Sequence, residues 1–157
     1  MGFLITIDMN STVNEIQVSY MPNQAMLGIQ KITNSKESFN VLWPIFSQDT
    51  IHLREEFVIL YLNRSHRVLG YFKAFVGGNS SVICDVKIIL AVALKGMASS
   101  IILSHNHPSG NLSPSDKDLR LTNRVKSACR EMDIELLDHL IIGSNGGYTS
   151  LADEALF

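Results

Sequence analysis

Apolar runs and turn residues follow one another along the chain at spacings that predict alternating strands and helices. Val58-Ile59-Leu60-Tyr61-Leu62 is apolar at every position, so it shows no two-residue alternation and reads as a central strand covered on both faces. Around it the pattern predicts a strand over 56–63, a turn at Asn63-Arg64-Ser65-His66, a strand over 67–76 and a loop at Gly77-Gly78-Asn79. A helix over 85–97 and a strand over 99–104 follow, then a helix over 114–131 and a strand over 134–142. A turn at Gly146-Gly147, a strand over 147–150 and a closing turn of helix end the series. In the helix over 114–131, Ser113 is placed at the N-cap, Pro114 at the first helical position and Asp116 in the first turn. Its buried stripe begins at Asp118 and runs through Leu121, Thr122, Val125, Ala128, Cys129 and Met132. Such an order of elements predicts an α/β layered sheet.

Ahead of this series, residues 1–50 read as an N-terminal extension to a domain over 51–157. The extension carries a strand from Val13 to Tyr20 and a short helix whose Phe39, Leu42, Trp43 and Phe46 share a face. Asn34 or Ser35 can cap that helix, and Pro44 should kink or end it.

Composition narrows the class. A chain of 157 residues, 46% hydrophobic and 18% charged, is long enough for one domain with a real core and lies far from disordered compositions. Cys84 and Cys129 are too few for a cysteine zinc site or a disulfide framework, and free thiols suit a reducing cytoplasm. The start, Met1-Gly2-Phe3-Leu4-Ile5-Thr6-Ile7-Asp8, has no basic segment and is too short for a signal peptide or a membrane span. A cytoplasmic location is expected. Net charge is −2 with a pI near 6.2, whereas a nucleic-acid footprint wants a basic face. The densest basic stretch, Lys117, Arg120, Arg124, Lys126 and Arg130, reads as the solvated side of an amphipathic helix.

The candidate chemistry sits after the apolar run Ser100-Ile101-Ile102-Leu103-Ser104, in His105-Asn106-His107-Pro108-Ser109-Gly110. Residues two apart on a strand share a face, so His105 and His107 aim at a common point. Asp118 points inward at the start of its helix stripe, where an unpaired carboxylate would be costly. Two histidines and one carboxylate are a three-ligand zinc set that leaves the fourth position open, the catalytic arrangement.

The spacing His-x-His, seven residues, Ser115, two residues, Asp118 resembles the signature of the JAMM (MPN+) metalloproteases. With Pro114-Ser115 and the downstream Leu137-Asp138-His139-Leu140-Ile141-Ile142, it is similar to the RadC branch, and the likeness runs from about Arg54 to Phe157. The resemblance implies a JAB/MPN-type mixed, curved β-sheet flanked by helices, a layered sandwich like that of cytidine deaminases, with Zn2+ held at one sheet edge by His105, His107 and Asp118. It also implies an upstream glutamate as general base. The apolar pattern around Arg54-Glu55-Glu56-Phe57 does not choose between the two acids; the Arg-Glu-any-Phe of the RadC pattern chooses Glu55 and leaves Glu56 as a solvated acid. Glu55 would move a proton from water to a leaving amine, and Ser115 would donate a hydrogen bond to the oxyanion. Asp138 and His139 read as structural, behind the ligands.

The implied activity is cleavage of a peptide or isopeptide bond in a protein or peptide substrate. Gly77-Gly78-Asn79 and Ser109-Gly110-Asn111 would flank an extended tail of small residues. Two departures stand out. Val86-Lys87 replaces a Pro-Arg pair common in RadC-like proteins, and the helix-hairpin-helix segment of longer ones is absent ahead of the signature. The alternative is a DNA-repair-associated protein that acts on or binds nucleic acid, against which the charge argues. A zinc base deaminase would need His-x-Glu and Pro-Cys-x-x-Cys, which this sequence lacks. Metal-free scaffolds of the same fold lack the ligands, all of which occur here.

Overall fold

The uniformly apolar run forms β1 (Glu56–Leu62), buried at every position because both of its faces are covered. Phe57, Ile59 and Tyr61 point to one side, into a core with Val86, Ile89, Val125 and Cys129. Val58, Leu60 and Leu62 point to the other, against Phe39, Leu42, Phe46 and Ile51. In the computed structural model the described residues are 20–21, 28–76 and 85–157. The strand expected over Val13–Tyr20, the loop Gly77-Gly78-Asn79 and Cys84 lie outside them, apart from Tyr20, which is not in a strand.

The remaining elements are α1 (Ser35–Leu42) with a 3-10 turn at Trp43–Ile45, β2 (Val68–Val76), α2 (Val86–Lys95), β3 (Ser100–His107), α3 (Asp116–Arg130), β4 (Glu135–Gly143) and β5 (Tyr148–Ser150). They build one open mixed sheet in the order β2-β1-β3-β4-β5. β3 and β4 are parallel and the other neighbours antiparallel. Parallel neighbours need a long crossover, and α3 supplies it. The α/β layered fold and the JAB/MPN-type arrangement of sheet and flanking helices are therefore as expected.

Residues 35–50, read from sequence as part of the extension over 1–50, pack with Ile51 as a layer of this core. Phe39, Leu42, Phe46 and Ile51 share one apolar cluster with Val58, Leu60, Ile102 and Leu140. Burying each such side chain contributes about 2 kcal/mol, so α1 stays on the sheet. Asn34 rather than Ser35 caps α1, accepting from the Glu37 amide, and Pro44 lies in the turn that ends it.

Several boundaries differ from expectation, most by a residue or two. β3 runs past residue 104 through both histidines, because its hydrogen-bonding partners β1 and β4 continue after the apolar run stops. α3 begins at Asp116, not 114, and its N-cap is Ser115 rather than Ser113. A capping box decides this: the Ser115 side chain accepts from the Asp118 amide and the Asp118 carboxylate accepts from the Ser115 amide, satisfying two donors at once. At the other end, Met132 falls beyond the helix and is exposed, as the chain reverses through Asp133 at φ 54°. The closing segment, 151–155, forms turns rather than a helix. Among the described residues no helix is long and apolar enough to cross a membrane.

Candidate metal centre

His105 and His107 stand on the central strand β3, and strand alternation puts both rings on the α3 side of the sheet. The two Nε2 atoms are 2.9 Å apart. The capping box at the start of α3 turns the third residue toward them, with Asp118 Oδ1 3.3 Å from His105 Nε2 and Oδ2 3.7 Å from His107 Nε2. These ligand atoms all lie within 4.8 Å of one another, a group that could hold a metal ion.

Hydrogen bonds on the far side of the site test that fit. His107 Nδ1 lies 2.6 Å from the Asn111 carbonyl, which can only accept, so Nδ1 carries the proton. In the neutral ring Nε2 is then a lone pair aimed at the shared point. Burial lowers the His105 pKa from 6.5 to about 4, with the Asp118 charge opposing, so this ring is neutral at physiological pH. Burial works to raise the Asp118 pKa, but His107, the His105 charge and two donors from Ser115 together hold its carboxyl well below the usual range. The His107 pKa is raised, first by the Asp118 carboxylate, against the cost of burial, and further by the Asn111 carbonyl and the charges of Asp118 and Glu55. Two imidazole nitrogens and a carboxylate thus converge where a positive charge is wanted. That donor set suits zinc with one position left open.

Residue Asn106, between the histidines, faces the opposite side and is fully buried. Its Nδ2 donates to the carbonyls of Ile51 (2.9 Å) and Arg54 (3.0 Å), and its Oδ1 accepts from the Glu56 amide at 2.7 Å. Two of these bonds bracket Glu55 and fix its backbone. Half-buried Glu55 lines a cleft of about 460 Å³ together with His107, Ser109, Asn111, Ser113 and Ser115. Glu56, expected to stay solvated, is only 2% exposed. It opens β1, so its side chain is folded in beside the neighbouring strand, accepting from Thr50 Oγ1 at 3.1 Å and from Lys73 Nζ at 3.2 Å. Its carboxylate is committed there; that of Glu55 is on the cleft side.

Ser115 lies on the cleft rim with its hydroxyl turned to Asp118, donating to Oδ2 at 2.7 Å. His139, read from sequence as lying behind the ligands, has its buried Nε2 2.9 Å from His105 Nδ1 and its Nδ1 2.6 Å from Thr122 Oγ1. Asp138 does not meet the His139 ring. It accepts instead from Ser150 Oγ, from the Ala152 amide and from the His139 backbone amide. Sequence reasoning missed Asn106, Lys73 and the Thr122 hydroxyl. Alternation alone could have found Asn106, since an amide between two histidines of a buried strand must face away from them and needs partners.

A family model described as the RadC-like JAB domain matches residues 32–156. The chain is similar to "UPF0758 protein" sequences from three bacteria. It is 39% identical to the one from Flavobacterium johnsoniae over 84% of this chain and 56% of that protein. The Porphyromonas gingivalis protein is 39% identical over 87% of this chain and 59% of its own length. The Aquifex aeolicus protein is 41% identical over 80% and 52% respectively. The chain therefore spans little more than half the length of the curated relatives it matches.

Proposed function

This chain belongs to the RadC-like JAB domain family, and from that premise we propose that it is a zinc-dependent hydrolase that cleaves a peptide or isopeptide bond. The observation that carries the reading is the convergence of His105, His107 and Asp118 beside the cleft that Glu55 lines. Those three residues would hold the ion. When bound, zinc supplies Lewis acidity and makes water nucleophilic at neutral pH. Glu55, its backbone held by Asn106, accepts a proton from the attacking water and delivers it to the leaving amine. Ser115, on the rim of the same cleft, turns its hydroxyl from Asp118 toward the substrate carbonyl oxygen and offsets the charge developing there. The cleft mixes polar and apolar lining, with Pro108, Ser109 and Asn111 on it, and it suits an extended protein or peptide tail better than a nucleotide chain, which a net charge of −2 repels.

Zinc content and hydrolysis of a peptide and isopeptide library, measured on the full chain, test the proposal. The expected result is about one zinc per chain and amide cleavage. Glu55→Gln keeps its zinc and loses at least about 100-fold in rate, because an amide cannot accept the proton. Cleavage of phosphodiesters with none of any peptide or isopeptide refutes the assignment, and loss of activity in Glu56→Gln with full activity in Glu55→Gln refutes the choice of base.

A further inference from the structure

We propose that His139 and Thr122 are positioning residues that lock the tautomer of His105, so that its Nε2 presents a lone pair to the metal. The inference rests on the ligand set proposed above and adds two residues outside it.

The argument is a count of hydrogens. Thr122 Oγ1 lies 2.6 Å from the backbone carbonyl of Asp118 and 2.6 Å from His139 Nδ1. The hydroxyl has one hydrogen and the carbonyl has none, so that hydrogen must lie between the two oxygens. The contact with His139 is then made by a hydrogen on Nδ1, donated to Thr122 Oγ1. The His139 ring is wholly buried and among the described residues has no carboxylate in hydrogen-bonding contact, so it is neutral and its Nε2 bears none. At 2.9 Å that Nε2 accepts from His105 Nδ1. In the neutral ring of His105 the single hydrogen is then on Nδ1, which leaves Nε2 free.

Reversing the chain would place a hydrogen on His105 Nε2, 2.9 Å from His107 Nε2, in the space the ion needs. The relay ends on the backbone of Asp118, the residue whose carboxylate faces the same ion, so one ligand orients another through four atoms of two side chains. Behind a metal-bound histidine the acceptor is usually a carboxylate or carbonyl. A neutral imidazole orients the ring without adding charge, which leaves Asp118 as the only anion among the proposed ligands.

Zinc affinity, measured on the full chain by competition with a chromophoric chelator, tests the relay. Thr122→Val and His139→Phe remove hydrogen bonds of the relay and should weaken zinc binding between about 10- and 100-fold. Thr122→Ser restores the hydroxyl, and His139→Gln places an oxygen where Nε2 stood; both should bind within a few-fold of the unsubstituted chain. Nitrogen-15 NMR of the zinc-free, unsubstituted chain needs no folded variant. It should show a protonated Nδ1 and an unprotonated Nε2 on His105. The opposite tautomer overturns the inference. So does unchanged affinity in Thr122→Val and His139→Phe when His105→Ala has lost its zinc. Zinc retained by His105→Ala would instead overturn the ligand set itself.

Discussion

Strand β3 meets a cleft at each end, and the larger one is chemically the poorer. At its start, Ser100 opens onto a cleft of about 990 Å³ rimmed by exposed Arg64, Lys126, Arg130, Asp133 and Glu135. Among the described residues these charges form no ion pair with one another, and the Ser100 hydroxyl is the buried side-chain group without a hydrogen-bond partner. At its far end the cleft is about 460 Å³, yet His105, His107 and Asp118 meet there and each is held from behind by a named hydrogen bond. Volume measures room. Chemistry follows from side chains fixed in protonation state and direction, and among the described residues only one end of the strand has them.

The largest test of this contrast is ligand removal. His105→Ala leaves one imidazole and one carboxylate, too few to keep zinc in a tetrahedral site, and occupancy should fall from about one per chain to near zero. Arg130→Ala, at the rim of the larger cleft, should leave zinc content untouched. Metal analysis of both purified variants checks the pair. Full occupancy in the first, or loss in the second, would place the metal at the wrong end of the strand.

Support from behind should matter almost as much. Asn106→Leu leaves the Ile51 and Arg54 carbonyls and the Glu56 amide without their partner in a buried setting. Orphaned buried groups cost 1–3 kcal/mol apiece, so unfolding by urea should show a loss on the order of 4 kcal/mol. A loss below about 1 kcal/mol would mean that the segment before β1, and Glu55 with it, is held by other contacts.

How much of this was legible in the sequence follows from how local each feature is. The donor set was legible, because strand alternation joins His105 to His107 and the helix stripe turns Asp118 inward. The start of α3 was misjudged because Ser113-Pro114 and Ser115-x-x-Asp118 both look like helix starts, and only the reciprocal bonds of the second pair decide between them. Strand β3 looked three residues shorter because its polar end breaks the apolar run, while pairing with β1 and β4 carries on. The burial of Glu56 depends on Lys73 from β2, and the partners of Asn106 lie fifty or more residues away; no local pattern encodes either. Sequence showed α1 to be amphipathic without showing that its apolar side would cover this sheet.

Acid should weaken the metal end selectively in the zinc-free chain. His105 is a base whose folded pKa is lowered to about 4, so between about 4 and 6.5 the unfolded chain binds more protons than the folded one. Stability is therefore lost as pH falls through that window. At 1.36 kcal/mol per unit the shift corresponds to about 3 kcal/mol, and His139, lowered by the same burial, acts in the same direction. His107 opposes them: its raised pKa gives stability that is present below 6.5 and lost as pH rises through the raised value. The His107 contribution is already complete below 6.5, and Asp138, raised from 3.8 by burial, opposes only toward the acid end, so the two lowered histidines predict a net fall from pH 6.5 to 4.5, read by urea unfolding at each pH. Replacing His139 with Phe should flatten the curve. A flat curve for the unsubstituted chain would mean that these rings are not buried neutral.

The smallest effect belongs to the serines of β3, and it separates a used hydroxyl from an idle one. Ser104 is fully buried and donates to the Val58 carbonyl at 2.8 Å, a bond that ties β3 to β1. Ser104→Ala should cost about 1 kcal/mol, the net worth of such a bond. Ser100 is as deeply placed, at 2% exposure, yet its hydroxyl has no partner among the described residues. The desolvation cost of that hydroxyl is already borne by the fold, so removing it sacrifices no bond and leaves a gap of one oxygen. Ser100→Ala should be neutral or stabilising by up to about 1 kcal/mol. A loss of more than about 1 kcal/mol at Ser100 would show that the oxygen is engaged, and the end of the strand beside the larger cleft would then have to be read as built rather than merely open.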